Sequence, residues 1–434
     1  MKIEHDVPVR DEVDVFVAGG GPAGCAAAVT AARQGRSVFL AEAHSCFGGM
    51  GTAGLVPAFM QFSDGEHLCA AGLGEEILET LRAAGGTGTP KNLAIKAEVL
   101  KRVYDDLVAD AGVDFTFHTS LIDAVTDGDR VSHAVCAAKS GVFAVAAKVF
   151  VDGTGDGDLA AWAGAPFEKG DENGDLMPGT LCSLWADVDW ETVRSHGGKP
   201  ERELLSQAIE DGVLSQEDYH LPGMWRVGEN VGGGNIGHTF GVDNTDERSI
   251  TEALVRGRKL VAEYERYYKE YLEGYEDMKL MATGSLLGIR ESRRIIGDYM
   301  LDIDDFKNQA TFDDEIGRYS YPVDIHPTRP GREEFERFTE EWETLRYRKG
   351  ENYGIPYRSL TPKGLANVLV AGRCISADRA MQGSVRVMPG CYITGQAAGM
   401  AAAIAVEQGA GVRGFDVGLL QARLKEMGAF LPNC

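Results

Sequence analysis

Residues 13–54 read as a strand, a glycine turn, a small-residue helix, a second strand ending in an acid, and a second glycine turn. The apolar run Val13–Ala18 suits a strand buried on both faces of a parallel sheet. Gly19, Gly21 and Gly24 follow at the spacing G-x-G-x-x-G. In a strand-to-helix crossover the first glycine makes the tight turn. The second lets the backbone approach a pyrophosphate, and the third lets the helix lie close to the strand. A helix opening at Pro22 and Ala23 would present its positive end to that pyrophosphate. Glu42 stands eighteen residues after Gly24, where the ribose hydroxyls of an adenosine need an acceptor. These residues together predict a bound dinucleotide.

The motif alone is weak, because the chain has 55 glycines and the same spacing also begins at Gly49, Gly232 and Gly409. Only the copy at Gly19 follows an apolar strand, opens a helix and is answered by a second strand ending in an acid. The copy at Gly409 follows a helix and reads as its C-terminal stop. The copy at Gly232 runs into His-Thr-Phe-Gly-Val-Asp-Asn, which does not start a helix.

A chain of 434 residues exceeds a single core. Its net charge of −23 and the lack of a basic stripe argue against nucleic-acid and anionic-membrane partners. No run of 18 apolar residues offers a membrane span, and Met-Lys-Ile-Glu-His-Asp lacks the apolar core of a signal peptide. The eight cysteines stand singly, with no C-x-x-C. That disfavours a metal ribbon or a redox pair, so no metal is expected and the thiols read as reduced and cytoplasmic. Cys46 precedes the Gly48-Gly49 turn without a partner nearby.

Periodicity predicts helices over 22–34, 93–111, 247–272 and 394–407. It predicts strands at 115–118, 121–126, 131–138, 142–146, 149–152 and 367–370. In the last helix Gly395, Ala398, Gly399, Ala402 and Ala403 form a small-residue face, suited to lying close to a sheet or a flat ligand or simply to tight packing. Residues 166–360 hold most of the Trp and Tyr, and they read as an insertion. The expected fold is α/β: a discontinuous Rossmann-like domain of residues 1–165 and 361–434, with a parallel sheet and an antiparallel excursion. Residues 166–360 would form an inserted α+β substrate or cap domain. The N-terminal motif, the second glycine pair and the missing second Rossmann unit favour FAD over NAD.

The blocks Gly-Gly-Gly-Pro-Ala-Gly-Cys-Ala-Ala-Ala and Phe-Gly-Gly-Met-Gly-Thr-Ala-Gly-Leu-Val resemble FAD-dependent oxidoreductases of the glutathione reductase structural class. More narrowly, the chain resembles the bacterial family known as FAD-dependent oxidoreductases. The blocks at 151–158, 288–295, 321–326, 355–360 and 370–391 carry that narrower likeness. The resemblance implies noncovalent FAD, since His44 lies too near Glu42 to match a flavin-linking histidine. It implies that Gly19, Gly21, Pro22, Ala23 and Gly24 hold the pyrophosphate and Glu42 the ribose. Gly48, Gly49, Met50, Gly51 and Thr52 would follow the ribityl chain and ring edge. Leu121 would touch adenine, with Asp152 and Gly155 near the adenosine half. Gly372 and Arg373 would flank the ribityl–phosphate stretch. Gly390 and Cys391 would open a helix aimed at the flavin pyrimidine. Arg373 stands where many of the wider class carry an acid.

The reaction implied is hydride transfer between flavin N5 and a small organic substrate, oxidising C–OH or C–N or reducing an activated C=C. A flavin-dependent monooxygenase and a non-redox flavoprotein are the alternatives. Arg290 could clamp a carboxylate or enolate bidentately, with Arg293 as its rival and a structural ion-pair network as the other use of both. His238 is a candidate acid/base or a solvated loop residue. Arg386 is a further flavin-side cation. Tyr321 and His326, which bracket Pro322, read as structural residues first and as pocket-shaping second. The partner expected is a small-molecule substrate, with a homo-oligomer as a further possible assembly.

Overall fold

The computed structural model describes residues 6–89, 92–195, 201–342 and 344–434. Strand β1 (Val9–Ala18) lies inside a seven-stranded sheet. It runs parallel to β2 (Val38–Ala41) on one side and to β6 (Gly141–Asp152) on the other. β3 (Asp114–Thr116) extends the sheet beyond β2, and Val368–Val370 pairs in parallel with the end of β6. β4 (Ser120–Asp127) and β5 (Arg130–Ala138) add the antiparallel excursion on β6. Apolar side chains fill both faces, as a helix-covered parallel sheet requires. Phe16 aligns with Phe39 and Phe150 on the neighbouring strands, at ring separations of 6.2 and 5.9 Å. The carboxyl ends of β1, β2, β6 and Val368–Val370 share one edge, which is where open α/β sheets bind ligands.

Helix α1 (Pro22–Arg33) and the helix Met388–Gln408 pack against each other. A Cβ at Gly395 or Gly399 would overlap the carbonyl oxygens of Ala23 and Ala27. At Gly395 and Gly399 the small-residue face therefore serves tight packing against a second helix. That helix begins at Met388, six residues earlier than predicted, with proline in its first turn. The strands expected at 142–146 and 149–152 are one continuous strand, β6. The helix expected from 93 begins at Ala97, because Leu93 and Ile95 bond to Phe59 and Pro57.

A second core forms around Trp185, Tyr264, Tyr267, Tyr268, Tyr275 and Met278. Its antiparallel sheet runs Lys279–Thr283, Ser183–Ala186, Gly232–Asn235, Gly223–Arg226. The helix Glu247–Tyr271 packs there, capped by Asp246, which accepts from the amides of Arg248 and Ser249. Ile295, Ile316, Tyr319, Tyr353 and Leu360 instead join the main core. Among the described residues no helix is long and apolar enough to cross a membrane.

Candidate active site

A cavity of about 740 Å³ begins at the carboxyl edge of the main sheet and extends to the second sheet. Two helices point their N-termini at it, α1 through Pro22 and the helix Met388–Gln408 through Met388 and Cys391. Neither start has a side-chain cap, so the unpaired amides and positive dipole ends are left for a ligand. At Gly21 a Cβ would meet only the Gly153 carbonyl, at 3.9 Å, so the backbone is bare toward the cavity. Glu42 is buried, and its two oxygens accept from the amides of Gly20 at 2.6 Å and His44 at 2.7 Å. These bonds fix the carboxylate on the cavity wall with lone pairs to spare. A bare glycine turn, a fixed acid and two uncapped helix ends fit FAD.

Gly19, Gly21, Pro22, Ala23, Glu42, Gly49, Met50, Leu121, Gly155, Gly372, Arg373 and Cys391 line the cavity. Gly24, Gly48, Gly51, Thr52, Asp152 and Gly390 are buried behind it. A Cβ at Gly24 would overlap the Gly19 carbonyl, so its role is packing. Thr52 Oγ1 donates to the Phe47 carbonyl at 2.5 Å and shapes the second glycine turn. Asp152 accepts from the amides of Thr154 and Ala160 and from the Thr154 hydroxyl, so it builds the loop after β6 instead of facing a ligand.

The far end of the cavity holds Arg290, Arg386, His220, His326, Asp324, Tyr321 and Asn235. Arg290 is buried, yet its partners are neutral. Nη1 donates to the Pro178 carbonyl and to Thr180 Oγ1, both at 2.9 Å, and Nη2 reaches Asn235 Oδ1 at 3.4 Å. Burial first, then Arg386, lowers its pKa to about 10. Arg293 and Arg294 are spent on the protein: Arg293 pairs with Asp158 at 2.7 Å and Arg294 with Glu291 at 2.6 Å. Arg386 pairs with Asp324 at 3.0 Å, and its Nε is buried without a hydrogen-bond partner.

His238 is buried and does not line the cavity. Its Nδ1 lies 3.1 Å from Asp218 Oδ1, and its Nε2 lies 3.1 Å from His326 Nδ1. His326 Nε2 lies 3.4 Å from Asp324 Oδ1. Burial, then Arg290, lowers the proton affinity of His326, which keeps it neutral. Burial opposes ionisation of Asp324, but His326, Arg386 and Arg290 hold its carboxyl well below the usual range. His220 is exposed to the cavity, and desolvation by the surrounding protein, then His238, lowers its proton affinity. His220, Asp218, Asp156 and Asn235 are the residues that the motif reading missed. The repeated Asp-x-His at Asp218–His220 and Asp324–His326 is the signal that could have found the cluster.

All eight cysteines are free thiols, seven of them buried. Burial raises Cys182 and Cys391, both on the cavity wall, to about 12, so neither is a thiolate at neutral pH.

Three solved structures similar to this chain are distant from it. A geranylgeranyl bacteriochlorophyll reductase-like protein from Thermoplasma acidophilum is 14% identical at a TM-score of 0.47, covering 96% of this chain and 83% of that one. A flavin-dependent brominase is 12% identical at a TM-score of 0.48, with 96% and 83% covered. A p-nitrophenol 4-monooxygenase from Pseudomonas putida DLL-E4 is 13% identical at 0.42, with 97% and 91% covered. No curated protein sequence matches. The family model described as FAD dependent oxidoreductase matches residues 14–424. The chain therefore belongs to the FAD dependent oxidoreductase family, and its cofactor is FAD.

Proposed function

We propose that this enzyme transfers a hydride between FAD and a small organic substrate bearing a carboxylate, enolate or similar anionic group. The reading rests on Arg290, a buried guanidinium on the cavity wall with only neutral hydrogen-bond partners. A buried cation without a paired anion is costly. An anionic substrate would supply the missing charge, and the guanidinium fork would orient it. Bound FAD supplies a two-electron acceptor or donor, which the side chains lack. The Pro178 carbonyl and Thr180 hold one arm of Arg290 in place and leave the other directed at weakly bound Asn235. Arg386, itself steered by Asp324, adds positive potential on the same wall. The histidine cluster stands beside both cations, at the polar end of the substrate.

Anaerobic mixing of the yellow protein with a panel of small hydroxy acids, amino acids and enolisable acids tests this reading. Anionic members should bleach the flavin absorbance, and their neutral amides or esters should not. Equal bleaching by the neutral analogues would overturn the anion-binding role. Hydroxylated product formed with consumption of oxygen would replace hydride transfer with monooxygenation.

A further inference from the structure

We propose that His220, His238 and His326 form a binding site for a divalent transition-metal ion of the zinc type, open to the substrate end of the cavity. One ligating atom from each ring falls in a group whose members lie within 4.8 Å of one another. The rings come from three separate segments. His220 follows the helix Arg202–Glu210, His238 follows the strand Gly232–Asn235, and His326 follows the strand Glu315–Tyr319. The cysteine spacing that argues against a metal ribbon does not bear on them.

Hydrogen-bond bookkeeping carries the argument. A carboxylate only accepts, so Asp218 requires the hydrogen of His238 on Nδ1 and leaves Nε2 with a bare lone pair. Asp324 Oδ1 stands 3.4 Å from His326 Nε2, and a hydrogen held on that nitrogen would leave Nδ1 bare. In that tautomer the two nitrogens that face each other at 3.1 Å would both be bare. Two lone pairs at that distance repel unless a positive centre lies between them. Zinc–nitrogen bonds of about 2.0–2.1 Å in tetrahedral geometry hold two ligating nitrogens about 3.3 Å apart.

The surroundings match a metal centre in two further ways. The outer nitrogen of His238 is hydrogen-bonded to a carboxylate, the usual support of a metal-bound imidazole, and His326 has a carboxylate oxygen 3.4 Å from its own. His220 has no hydrogen-bond partner for its ring among the described residues, while its backbone amide is tied to Asp218 Oδ1 at 3.2 Å. It supplies the third nitrogen from the cavity side, so the fourth position faces the cavity. An oxygen or nitrogen of the bound molecule would complete the sphere. That last assignment rests on the substrate reading above, but metal binding itself does not. The competing occupant is a single proton shared between His238 and His326.

The test uses the full chain loaded with FAD. The protein is dialysed against a chelator and titrated with Zn²⁺ by calorimetry. It is then titrated with Co²⁺, followed at wavelengths longer than the flavin bands. Wild type should take up Zn²⁺ saturably and stoichiometrically, and Co²⁺ should give a visible ligand-field band. His220→Ala removes a ring that holds no structural hydrogen bond, so it should keep FAD content and melting temperature while losing the band. Asp218→Asn should weaken Zn²⁺ about 10- to 100-fold. FAD-loaded wild type that binds no Zn²⁺, or a His220→Ala protein that binds it as tightly, would overturn the proposal in favour of the shared proton. Either result would leave flavin bleaching by anionic substrates untouched.

Discussion

Asp156 Oδ1 lies 2.6 Å from Nη2 of Arg373, and this pair ties the loop after β6 to the turn after Val368–Val370. Arg373 also donates to the carbonyls of Gly155 and Ile289. Asp156 in turn accepts from Ser292 Oγ at 2.5 Å and Asn244 Nδ2 at 2.6 Å. One acid thus joins the nucleotide end of the cavity to the segment carrying Arg290. Arg373→Ala should lower unfolding free energy by about 3 kcal/mol, because it strips a largely buried carboxylate of its charged partner. It should also reduce the FAD retained through gel filtration. Arg373→Lys should recover only part of both, since an ammonium cannot reach three acceptors in one plane. Denaturant unfolding and the flavin-to-protein absorbance ratio check this, and a wild-type curve for Arg373→Ala would contradict it.

Gly21 and Gly24 separate ligand binding from folding. At Gly24 a new Cβ would overlap the Gly19 carbonyl, which is backbone and cannot rotate away. Gly24→Ala should therefore destabilise the chain by about 1–3 kcal/mol or more, as overpacking does. At Gly21 the space is open except for the Gly153 carbonyl 3.9 Å away. Gly21→Val should leave the melting temperature of the cofactor-free protein near wild type and abolish FAD binding. Thermal melts with and without added FAD read the two effects separately. A Gly21→Val protein that stays yellow would show that this backbone does not meet the pyrophosphate.

The nucleotide end was legible because its demands are local. A turn, a helix start and an acid at the next strand end lie within 30 residues, and each demand restricts residue type. The substrate end was not legible in the same way. His220, His238 and His326 meet only through tertiary packing, and nothing in the sequence places Asp218 within hydrogen-bond reach of His238. Among the cations of 290–294, sequence could not tell that Arg293 and Arg294 are neutralised by Asp158 and Glu291. The helix start at Ala97 was missed because Leu93 is apolar at helical spacing but is used in a bridge beside Phe59.

Asp158 gives the enzyme a pH dependence with a definite sign. Burial, then Asp156 and Asp152, raises its pKa to about 6 against an ordinary value of 3.8. Between about pH 4 and 6 the folded chain holds this proton and the unfolded chain has released it. Stability from this group is therefore full at the acid end of the window and lost as pH rises through about 6. Asp158→Asn cannot titrate. The stability of wild type relative to this variant should fall by about 2 kcal/mol from pH 4 to pH 7. Urea unfolding of both proteins at the two pH values measures the difference, and a constant gap would show that Asp158 titrates normally.

Arg290 is the residue whose loss should separate chemistry from cofactor binding. Hydrogen bonds to charged groups contribute about 1.5–3 kcal/mol, so Arg290→Ala should lower kcat/KM for an anionic substrate roughly 10- to 100-fold. FAD content should not change, because the Arg290 contacts are to Pro178, Thr180 and Asn235 and not to the glycine turn. Reduction by dithionite should proceed at the wild-type rate, which shows that the flavin itself is intact. The orphaned Pro178 carbonyl and Thr180 hydroxyl add a modest cost in melting temperature, which is read independently of turnover. Arg290→Lys keeps the charge but not the fork, so it should bind the anion with a raised KM and recover part of kcat. If turnover and FAD content instead fall together in Arg290→Ala, the guanidinium serves the architecture of the cavity and not the substrate.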